Sequence, residues 1–462
     1  MTIKKQIPAA MRPISLMRTK LFIIFLLSLP EVLLCQITMI NFDYLTVDEA
    51  PRGPIGFLGT GVSLVHPNLP VYGGIRLNNA LVGTRAGYYT FGYHAGAQVP
   101  LSSKLYFHPR LMFTSGGGAE SNDGSGGFST LSTSIDYKWN NWSLGIGAQY
   151  SYVSTGVIQG VSPYVTLNKS VSFIDPLKED LHVQLFTNTL YSIWNEHDRP
   201  TGFIGIGGRS FSNQFYTSVY LTAAVTDLGG YMDVYGGYGA YKDMGPFRLL
   251  LEANLGTGGG GRAPAGGGAL WGTQTELQYH SGELFAGISG GLLSSIAEPF
   301  YFSFLALHLG TELKFNSHTT QKESYATENL KMESSVRTYL GSNGFSNIGV
   351  AFQLYRFKTL SLRGESYWAF TDGRGAYAEG LFGIRYQKNW WYVESQVGAG
   401  AGGGINLWNG AGLVFINSGF DLPLNESVSI NSKYIYNAYS TTEFPKHGLQ
   451  FGLGYKIPFK KT

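Results

Sequence analysis

The chain has 462 residues, of which 63 are glycine and one is cysteine, with 15% aromatic, 44% hydrophobic and 14% charged side chains. Glycine is about twice its ordinary usage and charge little more than half of it, while the apolar content excludes a disordered chain and the lone Cys excludes a disulfide framework or a Cys-based zinc site. The formal charge of +3 belongs to the start of the chain: residues 1–36 hold Lys4, Lys5, Arg12, Arg18 and Lys20 against Glu31, a surplus of four, so the remainder is at −1 and gives nucleic-acid binding no support.

In chain order, the first element is an export segment. Lys20 precedes the apolar run Leu21-Phe22-Ile23-Ile24-Phe25-Leu26-Leu27-Ser28-Leu29, then Pro30 and a short tail to Cys35-Gln36. A basic flank and an apolar run of about nine residues read as a signal peptide over 1–36, with Met11 or Met17 as alternative starts. Cleavage before Gln36 is the favoured reading. Lipidation of Cys35 is the other, although Leu34 stands where a lipoprotein site wants Gly, Ala or Ser. Beyond this segment no apolar run approaches the ~18 residues of a membrane helix.

From residue 37 onward the sequence repeats. Strand-like runs end in glycine clusters at Gly116-Gly117-Gly118, at Gly258 to Gly261 and at Gly402-Gly403-Gly404. Tyr88, Tyr231 and Tyr377 each follow a turn, and each unit closes on an apolar-x-Phe ending at Phe173, Phe315 and Phe459. All three anchors keep a period of about 143 residues, which divides the chain into barrel units 37–173, 174–315 and 316–462.

Within the second unit eight strands are expected near 182–195, 202–211, 214–226, 230–242, 247–257, 268–280, 284–295 and 300–315. Their alternation has a period of two: Leu249, Leu251, Ala253 and Leu255 share one face, Glu252 and Asn254 the other. Short turns such as Ser212-Asn213 and Ser281-Gly282 alternate with longer loops such as Glu196-His197-Asp198-Arg199-Pro200. Constant strand length, turn asymmetry and the absence of helical patterning predict an all-β, antiparallel transmembrane β-barrel.

The last strand carries a family resemblance. Gly454-Tyr455-Lys456-Ile457-Pro458-Phe459 resembles the terminal β-signal of Gram-negative outer-membrane proteins, with Gly454, Ile457 and Phe459 at its key positions. The sequence departs from that pattern in trailing Lys460-Lys461-Thr462 and in having Gly452 at the usual polar position. The resemblance implies an outer-membrane location, contact with outer-membrane lipid, and reading of the last strand by the barrel-assembly machinery. A mature start at Gln36 is similar to exported proteins of Bacteroidota.

Three eight-stranded units can form three small barrels or open into one barrel of about 24 strands. The merged form is the favoured expectation, because many inward positions are Gly, Ala, Ser or Thr and would leave an eight-stranded interior underfilled. The expected role is then a porin-like passive channel for small hydrophilic solutes, lined by Arg76, His108, Arg110, Glu252, Asn254, Gln274, Glu276, Arg363, Glu365, Glu394 and Gln396. A structural or partner-binding barrel of a surface secretion or adhesion assembly is the alternative, and a rim hydrolase using His94, His108 or His280 the third reading. No catalytic residue, metal ligand or cofactor is expected: no Gly-Lys-Ser/Thr follows the glycine runs, and the positions that repeat as Arg110, Glu252 and Gln396, or as Arg76, Ser218 and Arg363, stay polar without keeping one chemistry.

Overall fold

A two-residue alternation puts one set of side chains on each face of a strand, and the alternating stretches pair antiparallel throughout. The computed structural model describes residues 37–456 except 50–52, 67–68, 119–125, 154–155, 173–180, 195–196, 227–229, 261–262, 264, 266, 316–329, 342–343, 356–358, 372–376, 402–411, 426–427 and 440–443. The expected export segment, the glycines 402–404 and the terminal residues Ile457 and Phe459 lie outside the described residues.

Three barrels form. The first contains β1 (Ile37–Glu49), β2 (Gly53–Val65), β3 (Val71–Val82), β4 (Tyr89–Ala97), β5 (Val99–Pro100), β6 (Leu105–Gly117), β7 (Gly127–Trp139), β8 (Trp142–Val153) and β9 (Gln159–Ser172). It closes by pairing β1 with β9, and β4 pairs with β6, so the two-residue β5 is an appendage and eight strands make the wall. The second contains β10 (Leu181–Trp194), β11 (His197–Ser212), β12 (Phe215–Ala224), β13 (Met232–Met244), β14 (Phe247–Gly259), β15 (Ala269–Ser281), β16 (Leu284–Ser295) and β17 (Tyr301–Phe315), closed by β10 on β17. The third contains β18 (Leu330–Leu340), β19 (Ser346–Tyr355), β20 (Leu360–Ala369), β21 (Ala378–Lys388), β22 (Trp391–Ala401), β23 (Gly412–Pro423), β24 (Val428–Tyr439) and β25 (His447–Lys456), closed by β18 on β25.

The units therefore close separately, as the three-barrel alternative has it, and the merged barrel of about 24 strands does not form. The reason lies in paired volumes. An inward glycine stands beside a long polar side chain that occupies its space: a Cβ at Gly59 would strike the Arg76 guanidinium, one at Gly145 the Asp136 carboxylate, and one at Gly287 the Glu276 carboxylate. Small residues thus make room for large neighbours, and an eight-stranded interior is filled.

The tight connections gather at one end of each barrel. Asn140, Asn213 and Asn389 take φ values of 52°, 56° and 58° in two-residue turns after β7, β11 and β21, the left-handed geometry that hairpins of this length require. At the opposite, loop-side end, Tyr88, Tyr231 and Tyr377 occupy one equivalent place. Each precedes the fourth wall strand, each is buried, and their carbonyls accept the amides of Ala80, Ala224 and Ala369 at 2.9, 3.0 and 2.9 Å.

Outward strand positions are apolar. Leu131, Ile146 and Val161 on the first barrel, Val219, Leu251 and Leu307 on the second, and Ile384, Ile416 and Phe451 on the third are all exposed. Aromatic rings gather where the strands meet the short turns: Tyr137 with Trp139, Phe215 with Tyr238, and Trp390 with Phe420, at centroid separations of 6.4, 5.7 and 5.2 Å. Among the described residues no helix is long and apolar enough to cross a membrane. Closed walls that satisfy every strand edge, an apolar exterior and an interfacial aromatic girdle make these transmembrane barrels of the outer-membrane type.

The barrels also touch pairwise. The outward face of β4 serves two neighbours. The Tyr89 hydroxyl donates to the Met232 carbonyl of the second barrel at 2.7 Å, and the Tyr93 hydroxyl donates to the Gly349 carbonyl of the third at 3.1 Å. Phe91 stacks on Trp368 at 6.2 Å, and Tyr93 packs with Ile348 and Val350. Ile204, Ala223 and Val225 of the second barrel pack against the third. Glycines form the seam between the first and second barrels, where a Cβ on Gly87 would meet the backbone of Gly259 and Gly260, and one on Gly267 the backbone of Leu81 and Gly83. In lipid, close backbone approach and hydroxyl-to-carbonyl bonds replace the hydrophobic effect as the source of cohesion.

Candidate functional site

The interiors hold the residues that carry chemistry, and all three are built in layers. At the loop end each lumen is stoppered by packed rings. In the third barrel Tyr339, Phe345, Tyr377 and Phe444 meet at centroid distances of 5.0–5.1 Å around Phe345 and Tyr339. Phe203, Tyr231, Phe300 and Phe302 do this in the second, and Phe57, Tyr88 and Phe128 in the first. Below the rings the inward positions turn polar.

The polar layer of the third barrel is an ion network. Arg337 donates to Glu379 at 2.5 Å and to Glu365, and its guanidinium lies 3.8 Å from the centre of the Tyr367 ring. Arg363 holds Glu333 with two bonds of 2.9 and 3.1 Å and reaches Glu365 at 3.0 Å. Arg385 pairs with Glu394 at 2.9 Å, Lys433 bridges Glu365 and Glu394, and Lys331 meets Asp421 at 2.6 Å near the turns. Five buried cations thus face five buried carboxylates, Glu333, Glu365, Glu379, Glu394 and Asp421.

In the first barrel Asp43 forms an ion pair with Arg76 and accepts from Arg110 at 2.7 Å and from the Tyr164 hydroxyl at 2.8 Å. Arg110 also donates to Tyr72 at 2.9 Å. The Tyr72 hydroxyl meets His108 Nε2 at 2.5 Å, and His108 Nδ1 meets Asp136 at 2.6 Å. Asp136 borders a small turn-side pocket shared with Gln98, Tyr106, Lys138 and Trp142. In the second barrel Arg209 pairs with Glu276 and donates to the Tyr220 hydroxyl at 2.7 Å. Arg248 pairs with Glu312 at 2.8 Å. Glu252 accepts from Tyr220 at 3.2 Å and Gln274 at 2.8 Å, and Asp233 from Thr222 at 2.5 Å.

All eleven residues expected to line a pore point inward, and they are distributed over three separate lumens. Arg76, His108 and Arg110 lie in the first; Glu252, Asn254, Gln274 and Glu276 in the second; Arg363, Glu365, Glu394 and Gln396 in the third, none more than 6% exposed. Each is buried within its own lumen. Gly454 sits inward in β25, where its Cβ position is taken by the Lys331 side chain.

Sequence reading missed two Ser–His contacts, Ser63 with His94 at 2.7 Å and Ser289 with His308 at 2.8 Å, because the partners come from different strands. Each Ser–His pair resembles a nucleophile and its base. However, all four residues are at most 2% exposed, deep in filled lumens, which gives a substrate carbonyl no approach. His280 is partly buried near Glu312 on the turn side. Among the described residues no three His, Cys, Asp or Glu side chains converge as a metal cluster.

No protein-family model matches the chain, and no curated protein matches its sequence. Solved structures do. The siderophore receptor PirA from Pseudomonas aeruginosa is 6% identical, with 91% of this chain and 80% of that chain covered and a TM-score of 0.31. The outer membrane protein opdK from the same organism is 10% identical over 91% and 98%, with a TM-score of 0.23. The siderophore receptor PirA from Acinetobacter baumannii is 8% identical over 91% and 80%, with a TM-score of 0.27. No functional reading rests on likeness of this degree; the membrane-barrel assignment stands on the closed walls, the apolar girdled exterior and the polar interiors.

Proposed function

We propose that the chain is an integral outer-membrane protein of a Gram-negative bacterium that works as a non-conducting, three-barrel membrane platform, a structural or partner-binding part of a surface assembly. One observation carries this reading: every lumen is closed by packed rings at the loop end and by paired charges beneath them. Outer-membrane lipid surrounds the joined barrels, and the barrel-assembly machinery reads the last strand during insertion. The filled interiors also weigh against a rim hydrolase.

Passive passage of small hydrophilic solutes is the second reading. It is favoured by the polar column of the third barrel, which runs from Lys331 and Asp421 near the turns to Glu379 beneath Tyr377. Passage along it requires the four rings above to part. Conductance of the purified protein in planar bilayers separates the two. The platform reading expects no lasting open-channel steps; stable current steps that persist at low voltage would sink it in favour of the channel.

A further inference from the structure

The first barrel differs from its neighbours at the turn-side end of its last hairpin. There Trp142 of β8 lies opposite Lys169 of β9, whereas the same place holds Leu284 opposite Thr311 in the second barrel and Val428 opposite Tyr455 in the third. The Lys169 ammonium stands 5.0 Å from the centre of the Trp142 ring, and the Lys138 ammonium 5.6 Å from that of the Tyr106 ring. At these distances a cation is attracted to the ring face, which fixes a side chain that is otherwise free in solvent. Lys104 joins them, since its carbonyl accepts the Lys138 amide at 2.8 Å.

These lysines border the small pocket at the turn-side mouth of the lumen, walled by Tyr106, Lys138, Trp142, Ser143 and Ser170. Lys104 and Lys138 are exposed and Lys169 is half-buried. Asp136, on the pocket floor, is 1% exposed, and its two carboxylate oxygens are taken from within the lumen, one by Ser134 at 2.5 Å and the other by His108 at 2.6 Å. The pocket also lies at the level of the aromatic girdle, because Trp139, the register partner of Trp142, stacks with Tyr137. Girdle aromatics sit at headgroup depth, so the group that meets this pocket from the membrane is a headgroup phosphate.

We propose that the turn-side mouth of the first barrel binds the phosphate of an anionic phospholipid from the surrounding leaflet, between Lys104, Lys138 and Lys169. The Ser143 and Ser170 hydroxyls donate to its oxygens, and the acyl chains follow the apolar outer wall past Leu144 and Ile146, which are 42% and 67% exposed. The lysine stems rest on the aromatic rings while the ammonium groups reach the headgroup layer, as long basic side chains do at a membrane surface. Three ammonium groups around one phosphodiester select a headgroup of net negative charge over a zwitterionic one, whose own ammonium they repel.

The test adds phosphatidylglycerol or phosphatidylcholine of matched chains to the full chain in a non-ionic detergent, and reads lipid retention by native mass spectrometry. Phosphatidylglycerol is expected to bind at least about tenfold more tightly, and each of Lys104→Gln, Lys138→Gln and Lys169→Gln to weaken it about fivefold. The triple glutamine variant binds both lipids alike. Arginine at the same three positions keeps the preference, which separates lost charge from a disturbed fold. Lys388→Gln, at the end of β21 in the third barrel, leaves it unchanged. Equal retention of the two lipids by the wild type, or a preference that survives the triple glutamine variant, would overturn the proposal. So would displacement of the lipid by millimolar inorganic phosphate, which would make the pocket a site for the free anion.

Discussion

Replacing Arg337 with Met is expected to destabilise the third barrel by about 3–5 kcal/mol, the cost of breaking a buried ion pair from one side. Arg337 is the sole cation bonded to Glu379 among the described residues, and its other arm holds Glu365. Glu365 keeps Lys433 and Arg363, so it survives the change. Glu379 keeps only the hydroxyls of Tyr339 and Tyr377, at 2.7 and 2.6 Å. Its uncompensated charge then lies directly beneath the ring plug. Adding Glu379→Gln to Arg337→Met should recover much of the loss, because the amide carries no charge to strand. Urea unfolding in micelles reads both values. A double variant no more stable than the single one would show that packing on the Tyr367 ring, and not charge, is what Arg337 supplies.

Gly87→Val is expected to cost at least about 2 kcal/mol and to uncouple the first two barrels. Gly87 has a φ of 86°, a region that a β-branched residue occupies only under strain. Its Cβ would also run into the backbone of Gly259 and Gly260 across the seam, where no side chain can swing away. Unfolding of the wild type in one transition, and of the variant in two, is the expected result. The Tyr89 bond to the Met232 carbonyl should weaken with the seam, so Tyr89→Phe is expected to shift the same balance by a smaller amount.

Strand positions were legible because alternation is a local signal. In the second unit, expected starts at 182, 247, 268 and 284 meet observed starts at 181, 247, 269 and 284, whereas the stretch expected as a loop before a strand at 202 is drawn into β11, which starts at His197. The inward direction of Glu252 and Asn254 followed from the same alternation. Barrel count was not legible, since closure depends on which distant edges pair, and a filling argument applied residue by residue overlooked pairs such as Gly59 with Arg76. The seam was hidden for a related reason: Tyr89, Phe91 and Tyr93 alternate as lipid-facing residues do, and only the neighbouring barrel turns them into contacts. The glycine runs were read as strand ends that mark the repeat, which left hidden that Gly259 and Gly260 serve backbone-to-backbone packing against Gly87. The Ser–His contacts join residues 31 and 19 positions apart, beyond any local motif.

The claim that the three units close separately is most directly tested by disulfide trapping across the first closure. Phe42 and Leu167 are register partners on β1 and β9, near enough for cross-strand cysteines to join. In a chain with Cys35 replaced, Phe42→Cys with Leu167→Cys should oxidise to an intramolecular disulfide in the folded, membrane-inserted protein, whereas Phe42→Cys with Leu449→Cys on β25 should not. A disulfide in the second pair and none in the first would contradict three barrels and restore a single large one.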